Sequence, residues 1–207
     1  MLRDANVKID RLRCAADLLI SAEFVSGSAA DKSSARNEAA LKVAVHFNDS
    51  DLETFRMEAQ SALARQVTFH WPLEFPEVMV ERGGFDAFVG NPPFINAIDG
   101  DTPDVMKTWL RGRYKHLSGT ADSSYYFVTR IHETTLSRGT AGLILPRAFL
   151  NASSSVRLRT DLQATRPPTM IYCPDGLKLF HSANVRIVAI SLVLHLSNSH
   201  AWGVRFV

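Results

Sequence analysis

Four consecutive residues, Asn91, Pro92, Pro93 and Phe94, combine groups that could bind a planar amine. The two prolines fix two φ angles and remove two N–H donors, so the segment is stiff and presents its carbonyl oxygens as acceptors. The Asn91 amide can both donate and accept hydrogen bonds, and Phe94 adds a flat aromatic face. Two acceptors and a ring suit an exocyclic amino group such as that of adenine. The alternative is a rigid turn with Phe94 packed in the core.

The elements around this segment indicate how it is positioned. It follows a short apolar run, Phe85–Val89, which is entered through two glycines and closed by Gly90, a pattern typical of a strand that ends in a sharp loop. Further patterns predict helices at 103–115, 122–137 and 154–165, and strands at 142–145, 169–173 and 187–196. Strands that alternate with helices predict an α/β layered sheet, in which ligands bind beyond the carboxyl ends of the strands.

The residues before this alternating part have a different pattern. Helical periodicity predicts helices at 8–24, 35–46 and 51–65, with a polar linker at 26–34. Residues 67–71 resemble a short strand, and the pattern changes there. We therefore expect a helical lead segment over 1–66 and the catalytic half of an α/β domain over 67–207.

Composition excludes several classes of protein. The chain has 207 residues, of which 46% are apolar and 21% charged, as in ordinary globular proteins. It contains no apolar stretch of ~18 residues, so we expect no membrane span, and its N-terminus lacks the apolar core of a secretory signal. Two cysteines, Cys14 and Cys173, cannot build a disulfide framework or a structural zinc site, and the histidines show no metal-ligand spacing. A cytoplasmic protein without a metal is expected.

The charge is divided unevenly along the chain. The first 100 residues carry a net charge of −5 and the remainder +7, which together give the net charge of +2. A basic second half is what a phosphate-binding surface requires, and Arg157 and Arg159 are candidate phosphate contacts. The alternative is a solvated basic surface that binds no ligand.

From about residue 67 to 196 the sequence resembles the N6-adenine DNA methyltransferases. The likeness is closest to the large methylases of type IIG restriction–modification and phage-exclusion systems. It is carried by FHWPLEFPEV at 69–78, GGFD at 83–86 and NPPF at 91–94, and in the same order by GTAGLILPRAF at 139–149, LRTDL at 158–162 and LF at 179–180. The resemblance implies an incomplete Rossmann-like methyltransferase sheet with an N-terminal helical segment.

In that family the loop binds an adenine that has been flipped out of the duplex, and a methyl group passes to N6 from S-adenosylmethionine. The resemblance implies that the Asn91 side-chain oxygen and the Pro92 carbonyl accept hydrogen bonds from the amino group. Phe94 would stack on one face of the base and Phe180 would pack against the other. The family more often has tyrosine at position 94, and phenylalanine keeps the stacking surface.

The cofactor residues are where the sequence departs from the family. Nothing in 1–66 matches the glycine-rich turn that binds the methionine part of the cofactor, since Gly27 is the only glycine there. Tyr126 and Phe127 fall where the family has an aromatic helix near the cofactor adenine. A truncated or split enzyme is therefore expected, whose partners are double-stranded DNA, a missing N-terminal cofactor-binding segment and a target-recognition domain.

Two other functions stay open. Methylases of glutamine side chains use a similar N-P-P-[YF] turn to hold a planar amide. A chain without the cofactor turn could instead be a catalytically inactive fragment that binds DNA or a partner. The tryptophan- and proline-containing stretch at 71–78, which precedes the NPPF segment, and the long helical lead favour DNA methylation.

Overall fold

The computed structural model describes residues 2–46, 52–63, 66–94, 102–174 and 186–193. The chain divides into two compact units, one of Met1–Val80 with Pro103–Leu110 and one of Glu81–Thr102 with Arg111–Val207. The predicted boundary between residues 66 and 67 falls inside the first unit and stays a prediction. None of the described helices is long and apolar enough to cross a membrane.

The first unit is helical in its described residues. Its helices are α1 (Leu2–Ser21), α2 (Ala29–His46), α3 (Leu52–Ala62), a short α4 (Trp71–Glu74) and α5 (Asp104–Arg113). The last residues of α5 belong to the second unit. A 3-10 turn covers Ala22–Phe24, and a π turn covers Glu77–Glu81. The helix α1 packs against α3, and their core includes Cys14, Leu18 and Phe55. Cys14 and Leu18 are four residues apart in α1, about one helical turn, so both face this core.

Two expectations for this unit are wrong. Residues 67–70 form no strand, and Trp71 begins the helix α4. Pro72 suits the first turn of this helix because its ring presets φ, and because an N–H at that position would have no partner within the helix. The expected linker at 26–34 already contains the start of α2. Ser28 and Asp31 form a capping box, in which the Asp31 carboxylate accepts from the Ser28 N–H at 2.7 Å and the Asp31 N–H donates to Ser28 Oγ at 3.3 Å.

The second unit contains the sheet. Its elements are β1 (Phe85–Gly90), α6 (Ser123–Thr134), β2 (Thr135–Pro146), α7 (Val156–Thr165), β3 (Pro168–Tyr172) and β4 (Ile187–Val193), with 3-10 turns at Arg147–Leu150 and Ser153–Ser155. The strand order is β1-β2-β4-β3, in which β1 and β2 are parallel and β4 is antiparallel to both of its neighbours. The predicted α/β sheet and its order of elements along the chain are confirmed.

The two faces of this sheet differ in burial. One face contains Leu143, Leu145, Val188 and Ile190, all of which are almost completely buried. The paired residues on the other face are mostly small or apolar and are exposed or half-buried: Ala87, Val89, Thr140, Gly142, Ile144, Ala189, Ser191, Met170 and Tyr172. Val89 is 92% exposed. The described residues therefore cover one face of the sheet much more fully than the other.

The strand β2 is longer than its sequence suggested. It begins at Thr135, where the sequence predicted the end of a helix, and its register against β1 shifts between Phe85 and Ala87. Arg166, only 4% exposed, donates hydrogen bonds to the carbonyls of Thr135, Leu136 and Gly139 at 2.6–2.9 Å. The Arg166 guanidinium therefore binds carbonyls of β2 at the point where its pairing with β1 is irregular.

Candidate functional site

The NPPF segment lies at the carboxyl end of β1. The register pairs Gly90 with Leu143, and β2 continues three residues further to Pro146. Asn91 is exposed, Pro92 is buried, Pro93 is exposed and Phe94 is half-buried. The buried proline anchors the segment, while the asparagine amide and part of the phenylalanine surface remain open to solvent.

A hydrogen bond joins this segment to the start of α6. Ser123 Oγ donates to the Pro93 carbonyl oxygen at 2.6 Å. The helix is capped by a different side chain, since Asp122 accepts from the Ser124 N–H at 2.8 Å. Sequence reasoning did not find Ser123, because nothing local to either segment indicates that they meet.

The aromatic residues of α6 have different surroundings. Tyr126 is buried, with its ring 5.7 Å from that of Tyr114 in an edge-to-face arrangement, and burial raises the pKa of its phenol. Phe127 is 49% exposed. Packing inside this unit explains Tyr126, and a cofactor contact for either residue stays a prediction. Phe180, the other expected stacking residue, lies outside the described part of the chain.

The turns after β2 border the same edge of the sheet. The Arg147 N–H donates to the Arg186 carbonyl at 2.8 Å, which ties the end of β2 to the residue before β4. Arg159 donates to the Phe149 and Ala152 carbonyls at 2.8 and 3.1 Å and also to Ser155 Oγ. These bonds hold the turns in place.

The two arginines proposed as phosphate contacts therefore differ. The guanidinium of Arg159 is bonded to backbone and hydroxyl oxygens of its own unit, whereas Arg157 is exposed. Arg157 stays a candidate phosphate contact, and Arg159 has a structural role in the described unit.

A separate cleft of about 350 Å³ lies between α6 and α7 and is lined by residues that include His116, His132, Glu133 and Asp161. Burial, aided by the charge of Arg166, lowers the pKa of His132. Within the described residues, no group of three or more His, Cys, Asp or Glu side chains could hold a metal ion. The cleft therefore offers no metal centre that these residues could build.

Part of the chain is similar to a much longer protein. A protein of Methanocaldococcus jannaschii, named as a type II restriction enzyme and methyltransferase, is 27% identical over 96 residues, which cover 45% of this chain and 7% of that protein. The matched part is thus a small fraction of that relative's length.

Two solved structures are similar at 14% identity. One is a class I S-adenosylmethionine-dependent methyltransferase of Listeria monocytogenes, with a TM-score of 0.46, covering 86% of this chain and 54% of the other. The second is a nuclease-deletion mutant of the type ISP restriction–modification enzyme LlaGI in complex with a DNA substrate mimic, with a TM-score of 0.45, covering 73% of this chain and 13% of the other.

The model of one protein family matches residues 4–180, which is most of the chain. The matched range spans the helices of the first unit as well as β1, the NPPF segment, α6, β2, α7 and β3 of the second. The chain belongs to the Eco57I restriction-modification methylase family.

Proposed function

We propose that this chain supplies the adenine-binding part of a DNA methyltransferase that methylates N6 of adenine. The observation that carries the proposal is the position of the NPPF segment at the carboxyl end of β1, with Asn91 exposed and Phe94 half-buried. Membership of a restriction–modification methylase family supports DNA as the substrate. A flipped adenine would enter beside these residues, and stacking on Phe94 would offset part of the cost of unstacking.

The chemistry explains why these groups suit the reaction. The N6 lone pair of adenine is delocalised into the ring and is a poor nucleophile. Hydrogen bonds from the amino group to Asn91 Oδ1 and the Pro92 carbonyl would favour a pyramidal nitrogen with a localised lone pair. Positive charge that develops on the base would be stabilised by those oxygens and by the Phe94 ring. The segment is stiff before the base arrives, so little reorganisation is needed.

S-adenosylmethionine would supply the methyl group in such a reaction. The described residues do not fit it well. Their glycines with positive φ are Gly27, Gly83 and Gly84, and none lies in a turn between a strand and a helix, where a nucleotide-type cofactor is normally bound. The role proposed for the described residues is therefore capture and activation of the base.

The open side of the sheet supports a partner segment that provides cofactor binding. The strands β1 and β2 are parallel, and parallel strands are normally buried on both faces, but Val89 of β1 is 92% exposed. Met170, on the same face of the sheet, is 58% exposed. We propose that a cofactor-binding βα segment, in the same or another polypeptide, covers the face that contains these residues and Gly142. A target-recognition domain would complete binding to double-stranded DNA.

Product analysis tests the proposed function. The chain, alone and together with a candidate cofactor-binding segment, is incubated with long duplex DNA, a glutamine-containing peptide and labelled S-adenosylmethionine. N6-methyldeoxyadenosine in the digested DNA is the expected product. Label in the glutamine peptide alone would contradict the proposal, and binding of DNA without methyl transfer in either mixture would favour an inactive binding fragment.

A further inference from the structure

One hydrogen bond fixes the direction of a backbone carbonyl in the NPPF segment. The segment presents two adjacent backbone acceptors, the carbonyls of Pro92 and Pro93. The Pro93 carbonyl already accepts a hydrogen bond of 2.6 Å from Ser123 Oγ. This bond fixes the direction of the Pro93 carbonyl, which lies next to the two acceptors proposed for the amino group, the Pro92 carbonyl and the Asn91 side chain.

The same bond restricts the backbone that leads to Phe94. A hydrogen bond to the Pro93 carbonyl holds the peptide plane between Pro93 and Phe94. The φ angles of Pro92 and Pro93 are already limited by their rings. A single anchor at this carbonyl therefore constrains a backbone segment that has few other degrees of freedom and from which the Phe94 side chain projects.

The anchor itself is rigid. Ser123 is the first residue of α6, and the next two residues, Ser124 and Tyr125, are 0% and 1% exposed. The Tyr125 ring packs edge-to-face on Phe149 with 5.5 Å between centroids. Because Asp122 caps the helix, the Ser123 hydroxyl is not needed as the helix cap.

We infer that Ser123 is a positioning residue for the base site: its hydroxyl fixes the direction of the Pro93 carbonyl and thereby aims the Pro92 carbonyl, Asn91 and Phe94 at one amino-bearing ring. The inference rests on the proposed function of the segment. In this role Ser123 does not contact the substrate. It makes the site prefer a purine with an amino group over one without it.

Binding of two related oligonucleotides tests this role without a cofactor. The probes are labelled oligothymidylates of about 12 nucleotides with one central deoxyadenosine or, in its place, a purine deoxynucleoside without the amino group. Fluorescence anisotropy gives the affinity of the full chain for each. The variants are Ser123→Ala, Ser123→Thr, which keeps the hydroxyl, and Ser118→Ala, a matched exposed serine in the loop before α6. Circular dichroism checks that each variant is folded.

We expect the wild-type chain and Ser118→Ala to bind the adenine probe about tenfold more tightly, because the probe without the amino group cannot form the two proposed hydrogen bonds. Ser123→Ala should reduce this ratio to about twofold, and Ser123→Thr should restore it. If Ser123 had a purely structural role, Ser123→Ala would lower the affinity for both probes equally and leave the ratio unchanged. That result would overturn this inference but not the proposed function. A wild-type ratio near one would overturn the proposed function and this inference together.

Discussion

Replacement of Gly139 by alanine should destabilise the sheet at the point where β1 and β2 meet irregularly. A Cβ atom at this position would lie 2.5 Å from Thr135 Cγ2 and 2.8 and 2.9 Å from the backbone oxygens of Asp86 and Phe85. Real Cβ atoms do not approach so closely, and two of the three neighbours are backbone atoms of β1 that cannot rotate away. The strand must therefore shift, and overpacking of this kind costs about 1–3 kcal/mol.

Gly142, three residues further along β2, is the matched control. A Cβ atom there would meet nothing within 4 Å, because the residue belongs to the more exposed face of the sheet. Both substitutions remove the same glycine flexibility from the unfolded chain, so the difference between the two variants isolates the steric cost. Urea denaturation followed by circular dichroism should place the midpoint of Gly139→Ala below that of Gly142→Ala by about 1 M. Equal midpoints would refute the close approach of β1 and β2 at Gly139.

Three further predictions concern other contacts. Arg166→Met should lower the free energy of unfolding by about 2–4 kcal/mol in urea denaturation, because three β2 carbonyls lose a charged donor; an unchanged value would show that these bonds do not stabilise the unit. Burial lowers the pKa of His132, so as the pH falls the imidazole is protonated in the unfolded chain before it is protonated in the folded chain. The free energy of unfolding should therefore fall as the pH drops below about 6.5. His132→Gln should weaken this pH dependence when denaturation is measured at several pH values. Phe94→Ala should weaken adenine binding in the anisotropy assay by about tenfold, whereas Phe94→Tyr, which keeps the ring, should not; equal losses would exclude stacking.

Much of the second unit could be predicted because its signals are local. The apolar run Phe85–Val89 between glycines became β1, and Pro167 and Pro168 marked the change from α7 to β3. The run 187–193 became β4, while its predicted end at 194–196 lies outside the described residues. In these segments the apolar pattern and the glycine or proline residues that end it lie within a few positions of each other.

The features that sequence reasoning missed depend on distant partners or on overlooked caps. Thr135–Gly139 has the polarity of a helix end or loop, and it joins β2 with its carbonyls satisfied by Arg166, about thirty residues later in the chain. The bond from Ser123 to Pro93 likewise spans thirty residues. The start of α2, in contrast, had a readable signal in the capping box of Ser28 and Asp31.

The candidate site could be located from sequence but not assembled. The NPPF motif indicated a stiff segment after a strand, and the structure has that segment at the end of β1. The roles of Asn91 and Phe94 remain predictions. The turns held by Arg159 could not be foreseen, because a charged residue in a helical pattern looks the same from sequence whether it faces solvent or the backbone.

The Asn91→Ala variant tests most directly whether the segment after β1 activates adenine. Asn91 is exposed, so its loss should leave folding nearly unchanged, and Asn151→Ala, another exposed asparagine in the same unit, is the control. The measurement is the rate of N6-methyldeoxyadenosine formation in duplex DNA by the chain together with a candidate cofactor-binding segment. We expect Asn91→Ala to reduce this rate by about 10²–10³-fold, as for loss of one preorganised polar contact to a developing charge, and Asn151→Ala to have no effect. A rate for Asn91→Ala equal to that of wild type would contradict the proposed role of the segment.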